Sequence, residues 1–332
     1  MHRLPRPVHL LARGMTLIEL LVSMAIALIV IGAVAVTFSG TSSGRLEVER
    51  SGRLTENAAY AMELLQEETR LAGYFADVLR AGAAWQAPDP CATALAAQGW
   101  STAPLRIPLP VVGYGDTEAT PACFTHRKDG TAAIVLHRLA VDTTLPAAAT
   151  GAPYVQVSNC ATEITTPLVY SNTAADFTLH KLDCTVEAPA RRIVTRGYYI
   201  STCNDCATDS MPTLKRIELV GDAVVVTPLA EGIENLQIEY GFDTDGDGNS
   251  DVFRAGLSGT AGAADNNWLN VVAVRFYLLA RSTDASVGYI DTSKRFDLGP
   301  AGYSEVANDD FKRVQLTSIA RLNNPAGWRE TP

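Results

Sequence analysis

The 332-residue sequence has little of what catalysis and nucleic-acid binding require. Only five histidines occur. His2 and His9 fall in the first 14 residues, and His126, His137 and His180 sit singly. There is no H-E-x-x-H pair and no glycine-rich phosphate loop. An enzyme is therefore not expected. Lys/Arg runs are missing beyond the first 14 residues, and the chain carries a net −9. Lys and Arg supply affinity for a phosphate backbone, so no nucleic-acid partner is expected either. A second C-x-x-C is lacking, as is any internal repeat.

One more scarcity points to what is there. From Met15 to Phe38 the chain runs 24 residues without proline and with a single charge, Glu19. At about 1.5 Å per residue, a helix of that length crosses a hydrocarbon core of roughly 30 Å. Leu, Ile, Ala and Met all suit the helix. The preceding Met1–Gly14 holds Arg3, Arg6 and Arg13 and no acid, which places the N-terminus in the cytoplasm and the remainder across the membrane. An ordinary secretory signal puts its small-residue cleavage site after the apolar region, whereas Gly14 precedes it. A carboxylate in lipid costs about 2.5–3.5 kcal/mol on insertion scales, so Glu19 calls for a partner or an interfacial position.

Gly14-Met15-Thr16-Leu17-Ile18-Glu19 resembles the class III signal of type IV prepilins and related pseudopilins. The resemblance implies cleavage after Gly14 by a membrane prepilin peptidase and N-methylation of the new first residue, Met15. That family usually begins its mature chain with phenylalanine, and Met15 departs from the pattern. The resemblance also implies that Glu19 pairs with a neighbouring subunit's N-terminal amine in a filament core. Such a pair sets register more than it stabilises. Without the three leader arginines, 24 basic residues face 36 acidic ones, a net −12 for the mature form.

Ser39–Gly44 holds two glycines and four hydroxyl residues and predicts a weak point, read either as a plain loop or as a helical segment able to melt. Val36 stands where major pilins usually carry a kinking proline. Helical spacing resumes from Arg45 to about Tyr74, with Leu54, Ala58, Ala61, Met62, Leu65 and Ala72 on one face. Residues 77–124 read as a long connection with short elements. Strand patterns follow at 132–141, 154–158, 192–201, 214–220, 222–228, 235–240, 269–280 and 313–322. The expected fold is therefore α+β and pilin-like, a long N-terminal helix packed on an antiparallel β-sheet domain. Its divisions are a leader (1–14), a transmembrane helix (15–38), an amphipathic continuation (39–76) and an extracytoplasmic β-rich domain (77–332).

Six cysteines, Cys91, Cys123, Cys160, Cys184, Cys203 and Cys206, all lie on the side the topology places outside. That compartment favours disulfides, and six cysteines allow fifteen connectivities. Sequential pairing is the expectation adopted. Cys203-Asn-Asp-Cys206 could be redox-active or half a zinc site, but it reads chiefly as a local bond pinning a loop.

The sharpest site pattern is Asp243-Thr-Asp245-Gly-Asp247-Gly248-Asn249-Ser-Asp251. It matches the first half of an EF-hand calcium loop. Asp243, Asp245 and Asp247 would converge on one hard cation, Gly248 permits the sharp turn, Asn249 offers its carbonyl, and Asp251 reaches the ion directly or through water. Position 12 is Arg254 in place of glutamate, so the remaining ligands are expected from Asp222, Asp265 or water. The alternative is a metal-free Asp/Gly hairpin turn. Unmetallated, four aspartates within nine residues repel one another. A structural calcium ion is the expectation.

The phrase from Gly232 to Gly248, GIENLQIEYGFDTDGDG, is similar to the C-terminal signature of the PilW family of minor type IV pilins, and the segments 269–282 and 311–324 resemble its closing strands. The resemblance implies a structural role, priming pilus assembly at or near the tip. The implied partners are other minor and major pilins, a tip-associated adhesin and the inner-membrane assembly platform. The implied location is an inner-membrane precursor with a periplasmic domain, then an extracellular pilus. A minor pseudopilin of a type II secretion system and a filament-displayed adhesive module are the other readings.

Overall fold

The computed structural model describes residues 14–163, 167–255, 268–304 and 306–330. The leader residues 1–13 lie outside this set, and so does Asp265. The chain divides into two units, Met1–Arg50 and Ser51–Pro332.

The first unit is helical. Helix α1 spans Leu17–Leu71, and its N-terminal part is long and apolar enough to cross a membrane, with every large apolar side chain from Met15 to Phe38 exposed. The weak point expected at Ser39–Gly44 is not a loop, because α1 runs through it unbroken. Local bonding accounts for this. Thr37 Oγ1 donates to Ala33 O at 2.9 Å and Thr41 Oγ1 to Thr37 O at 2.8 Å, so these hydroxyls are satisfied within the helix and do not compete with it.

In the second unit, the last turns of α1 bury Leu54, Ala58, Ala61, Met62 and Leu65, the positions that helical spacing picked out. The helix stops at Leu71, short of 76. Gly73 adopts φ +75°, and its N–H donates to His137 O at 2.9 Å. Asn324 Nδ2 donates to Ala72 O at 3.1 Å, satisfying a carbonyl the helix leaves open.

Three sheets follow. A small one joins β1 (Ala84–Gln86), β2 (Ser101–Thr102) and β3 (Leu105–Pro108) in the order β1-β3-β2. Its β1–β3 pair is parallel, an exception to the expected antiparallel pattern, and the long 87–104 connection makes that crossover possible. The large sheet runs β10-β9-β8-β5-β4, built from β4 (Val111–Tyr114), β5 (Ala133–Leu139), β8 (Ala190–Ser201), β9 (Thr213–Val220) and β10 (Ala223–Glu231). Two further strands, β6 (Tyr154–Val157) and β7 (Leu168–Ser171), pair with each other, and β6 also pairs with the start of β8. The third sheet has the order β12-β11-β13-β14, from β11 (Ile233–Phe242), β12 (Val252–Arg254), β13 (Val271–Arg281) and β14 (Arg313–Arg321). Helix α2 (Asn323–Arg329) follows at once. All eight predicted strands are present, while β1–β4, β7, β12 and α2 were not singled out.

The main core lies between α1 and the inner faces of the two larger sheets. Ile134, Tyr198 and Ile200 from one and Leu236, Val274 and Phe276 from the other join Leu54–Leu65 in one cluster. Arg196 crosses that boundary, donating to Glu68 Oε1 at 2.5 Å and to Glu218 Oε1 at 3.0 Å.

His137, on β5, is 1 % exposed and shares Nδ1 with Leu109 O at 2.7 Å. Its burial in the sheet interior pulls the imidazole pKa down to about 4, against which the Leu109 bond works only weakly. Unfolding returns it to about 6.5, so the unfolded chain binds one more proton between those values. Stability is therefore complete above pH 6.5 and falls as pH drops toward 4, by about 3 kcal/mol for this residue. Denaturant titration of the full chain in detergent from pH 7 to 4.5 is expected to show that slope, and His137→Leu to flatten it.

Candidate functional site

The acidic pattern forms the hairpin loop between β11 and β12, which close beneath it through the Phe242–Val252 pair. Asp243 anchors the loop and is 1 % exposed. Its carboxylate accepts from Gly246 N at 2.6 Å, Gly248 N at 2.9 Å and the Arg329 guanidinium at 3.2 Å. Burial alone would raise its pKa, but these hydrogen bonds and the Arg329 charge outweigh it and hold the carboxyl below the usual aspartate value. Asp245 accepts from Asp247 N at 3.2 Å, and Asp247 accepts from Asn249 N at 2.7 Å. Carboxylate oxygens of Asp243, Asp245 and Asp247 come within 4.8 Å of one another.

The remaining predicted ligands are placed differently. Asp251 accepts from Thr244 Oγ1 at 2.6 Å and Thr244 N at 2.7 Å, bonds that keep its pKa low and hold it outside that trio. The Asn249 side chain donates to Asp247 at 3.1 Å. Asp222 lies in the β9–β10 turn and is not in the trio, and Arg254 turns its guanidinium to the Phe242 ring at 5.8 Å. Three of the four predicted aspartate ligands therefore converge.

Sequence reasoning missed the partner of this loop, helix α2. Gly248 has φ +83°, and a Cβ there would lie 2.8 Å from Ala326 O and 2.6 Å from Glu330 Cγ. Arg321 donates to Gly248 O at 3.2 Å and pairs with Glu330. The all-oxygen donor set suits a hard cation such as calcium. The guanidinium of Arg329 supplies part of the positive charge that such an ion would bring. No motif links residue 329 to residue 243, so only folding could bring them together.

At the N-terminus, Glu19 has an intramolecular partner. Its carboxylate accepts from Thr16 N at 3.0 Å and Thr16 Oγ1 at 2.9 Å, while Glu19 N donates back to Thr16 Oγ1 at 3.3 Å. This reciprocal pattern is a capping box, legible in T-L-I-E but not read there. Gly14 and Met15 precede the helix in non-helical backbone.

The cysteines pair in sequence order, Cys91–Cys123, Cys160–Cys184 and Cys203–Cys206. His126 approaches the last pair.

Residues 197–324 match the family model of the Type IV Pilus-assembly protein W, PilW, and residues 11–35 match the prokaryotic N-terminal methylation motif. Over these two stretches the chain is similar to PilW-type pilins. The PilW match runs from within β8 into α2 and takes in the whole acidic loop. A Type IV-like pilin from Thermus thermophilus is similar to 82 % of this chain over 97 % of its own, with 12 % identity and a TM-score of 0.38. No curated protein matches the chain.

Proposed function

We propose that this PilW-type pilin is a minor subunit that primes pilus assembly and sits at or near the tip. The observation that carries the reading is the joint match of a methylation motif at 11–35 and a PilW region at 197–324 on one chain. Prepilin peptidase cuts after Gly14 and Met15 is methylated. The chain waits in the inner membrane with its β-rich domain in the periplasm, and the assembly platform then moves it into an extracellular filament among minor and major pilins and a tip adhesin. Its work is structural and not catalytic. Mass spectrometry of sheared filaments and membranes tests this. A mature form starting at Met15 in filaments, with piliation lost on deletion, is expected. A processed form confined to the membrane, with pili intact and secretion of folded proteins lost, would instead identify a type II pseudopilin. Normal pilus number with lost adhesion would identify an adhesive module.

The acidic loop is a structural calcium site in this reading, held by Asp243, Asp245 and Asp247, with Asn249 and Asp251 completing it through backbone or water. The convergence of the three carboxylates supports it. A ligand that binds only the folded state at a hundredfold its Kd stabilises by about 2.7 kcal/mol. Calcium is expected to raise the melting temperature of the full chain in detergent, and Asp245→Asn with Asp247→Asn to abolish the rise. Absence of both binding heat and thermal shift in the unmutated chain would refute the site.

A further inference from the structure

Cys203 and Cys206 close a short ring in the loop between β8 and β9. Two features set the pair apart. The first is span. Its sequence separation is 3, against 32 and 24 for the other disulfides. A bond closing so short a loop constrains the unfolded chain least, so breaking it disturbs the fold least.

The second is the company the sulfurs keep. Lys215, on β9 and only 6 % exposed, holds Nζ 3.7 Å from Cys206 Sγ. Ser201 Oγ, at the end of β8, lies 3.5 Å from Cys203 Sγ and 4.0 Å from Cys206 Sγ. A ring nitrogen of His126 comes within 4.8 Å of both sulfurs. By contrast, the sulfurs of the other pairs meet the Cys123 N–H, the Thr162 hydroxyl and the Leu182 carbonyl. Cys203 is buried and Cys206 exposed, so Cys206 is the sulfur an outside thiol can reach.

We propose that Cys203–Cys206 is a reversible thiol–disulfide exchange site for external thiols, with Cys206 as the exchanging sulfur and Lys215 as its positioning cation. The thiolate of an external donor attacks Cys206 Sγ, the Cys203–Cys206 bond breaks, and Cys203 leaves as a thiolate that takes a proton. A second donor thiolate attacks the donor sulfur of the mixed disulfide and releases Cys206 as a thiolate beside the Lys215 ammonium. The two donors end as a disulfide, and the protein pair has gained two electrons and two protons once Cys206 is protonated. In the reverse direction the same thiolate attacks an external disulfide. A neighbouring cation raises the thiolate fraction and so the exchange rate. Asp205 and Asp209 also face Lys215, but Asp209 is occupied by the N–H groups of Asn204, Asp205 and Met211. The Lys215 ammonium stands 3.7 Å from the Cys206 sulfur.

The test equilibrates the full chain in detergent with glutathione buffers of stepped reduced-to-oxidised ratio, alkylates it, and reads each pair by peptide mass spectrometry. Cys203–Cys206 is expected to open at a ratio at least ~10-fold less reducing than the other two pairs require. Opening of all three pairs together, or of Cys203–Cys206 only on unfolding, overturns the proposal. In the reduced protein, Lys215→Gln is expected to slow Cys206 alkylation at pH 7 about tenfold by raising its pKa roughly one unit, while Lys215→Arg restores the rate. Equal rates in all three proteins remove Lys215 from the assignment. Should Lys215→Gln fail to fold, Cys203→Ser serves instead. Its lone Cys206 is expected to form a mixed disulfide with oxidised glutathione, and no adduct on the folded protein overturns the proposal.

Discussion

Glu19→Ala is expected to be cleaved after Gly14 at the normal rate and to be missing from sheared filaments. The proposed cleavage site lies five residues upstream in non-helical backbone, and the substitution leaves it untouched. What changes is the charge available in the apolar helix. Met15–Phe38 offers a single ionisable side chain, so under the proposed register pairing its removal would leave a neighbouring subunit's N-terminal amine without a counter-ion in a dry helical core. An unpaired buried charge costs about 3–5 kcal/mol, enough to disfavour incorporation more than a hundredfold.

The capping box complicates the substitution, because Glu19→Ala also removes acceptors for Thr16 N and Oγ1. Thr16→Val separates the two effects. It deletes the Thr16 hydroxyl that caps Glu19 N and keeps the carboxylate. Loss of a cap costs only about 1 kcal/mol, so Thr16→Val is expected in filaments at reduced amount. Immunoblots of sheared and membrane fractions for both variants read the difference. Incorporation of Glu19→Ala at the normal level would sink the register role. The capping box further implies that Glu19 must exchange Thr16 for the neighbour's amine on docking, or accept both.

The second large effect is expected at Glu218. This β9 side chain is 9 % exposed and meets Arg196 at 3.0 Å, Arg216 at 3.2 Å and Arg192 at 3.7 Å. Arg196 is shared with Glu68 on α1, which also meets Arg138 at 3.6 Å. Four arginines thus surround two carboxylates, and taking one away leaves poorly solvated guanidinium groups facing each other across the helix–sheet boundary. Glu218→Ala is expected to destabilise the second unit by about 3 kcal/mol, the low end for breaking a buried pair since Arg192 keeps partial contact with water. For a domain of this size that lowers the melting temperature by roughly 6–12 °C. Glu218→Gln, which keeps volume and two acceptor lone pairs, is expected to cost less than Glu218→Ala. A shift under about 1 °C for Glu218→Ala would show that the remaining glutamate compensates the cluster.

Some of this was legible in the chain and some was not. The N-terminal helix could be read because its constraint is local: an apolar run, a basic flank and the T-L-I-E cap all act within a few turns. Seven longer strands and the four-residue β6 could be read because β-branched and aromatic runs, bounded by turn residues, carry their own signal. The other strands of two to four residues, β1, β2, β3, β4, β7 and β12, were missed, since so few residues hold little period. The plain-loop reading of Ser39–Gly44 failed because propensity there is outweighed by Thr37 and Thr41 bonding back to the preceding turn, while the reading as a helical segment stands.

By itself, then, the sequence determined the anchor, the charge balance, the helix face Leu54–Leu65 and the turn that sets Asp243, Asp245 and Asp247 at alternate positions. Each follows from spacing along a few neighbouring residues. Only the tertiary structure decided that Arg329 stands on Asp243, that Glu330 packs on Gly248, that Lys215 faces Cys206, and that Asp251 turns to Thr244 and away from the trio. The two arrangements that join distant segments, Arg329 on Asp243 and Glu330 on Gly248, pair residues more than 80 positions apart. The other two depend on where a strand register and a loop's own hydrogen bonds aim a side chain. Neither long-range contact nor side-chain direction is written in local spacing: the contacts of α2 emerge only when β11, β13 and β14 align and bring it against the loop, and Lys215 reaches Cys206 only when β9 pairs with β8.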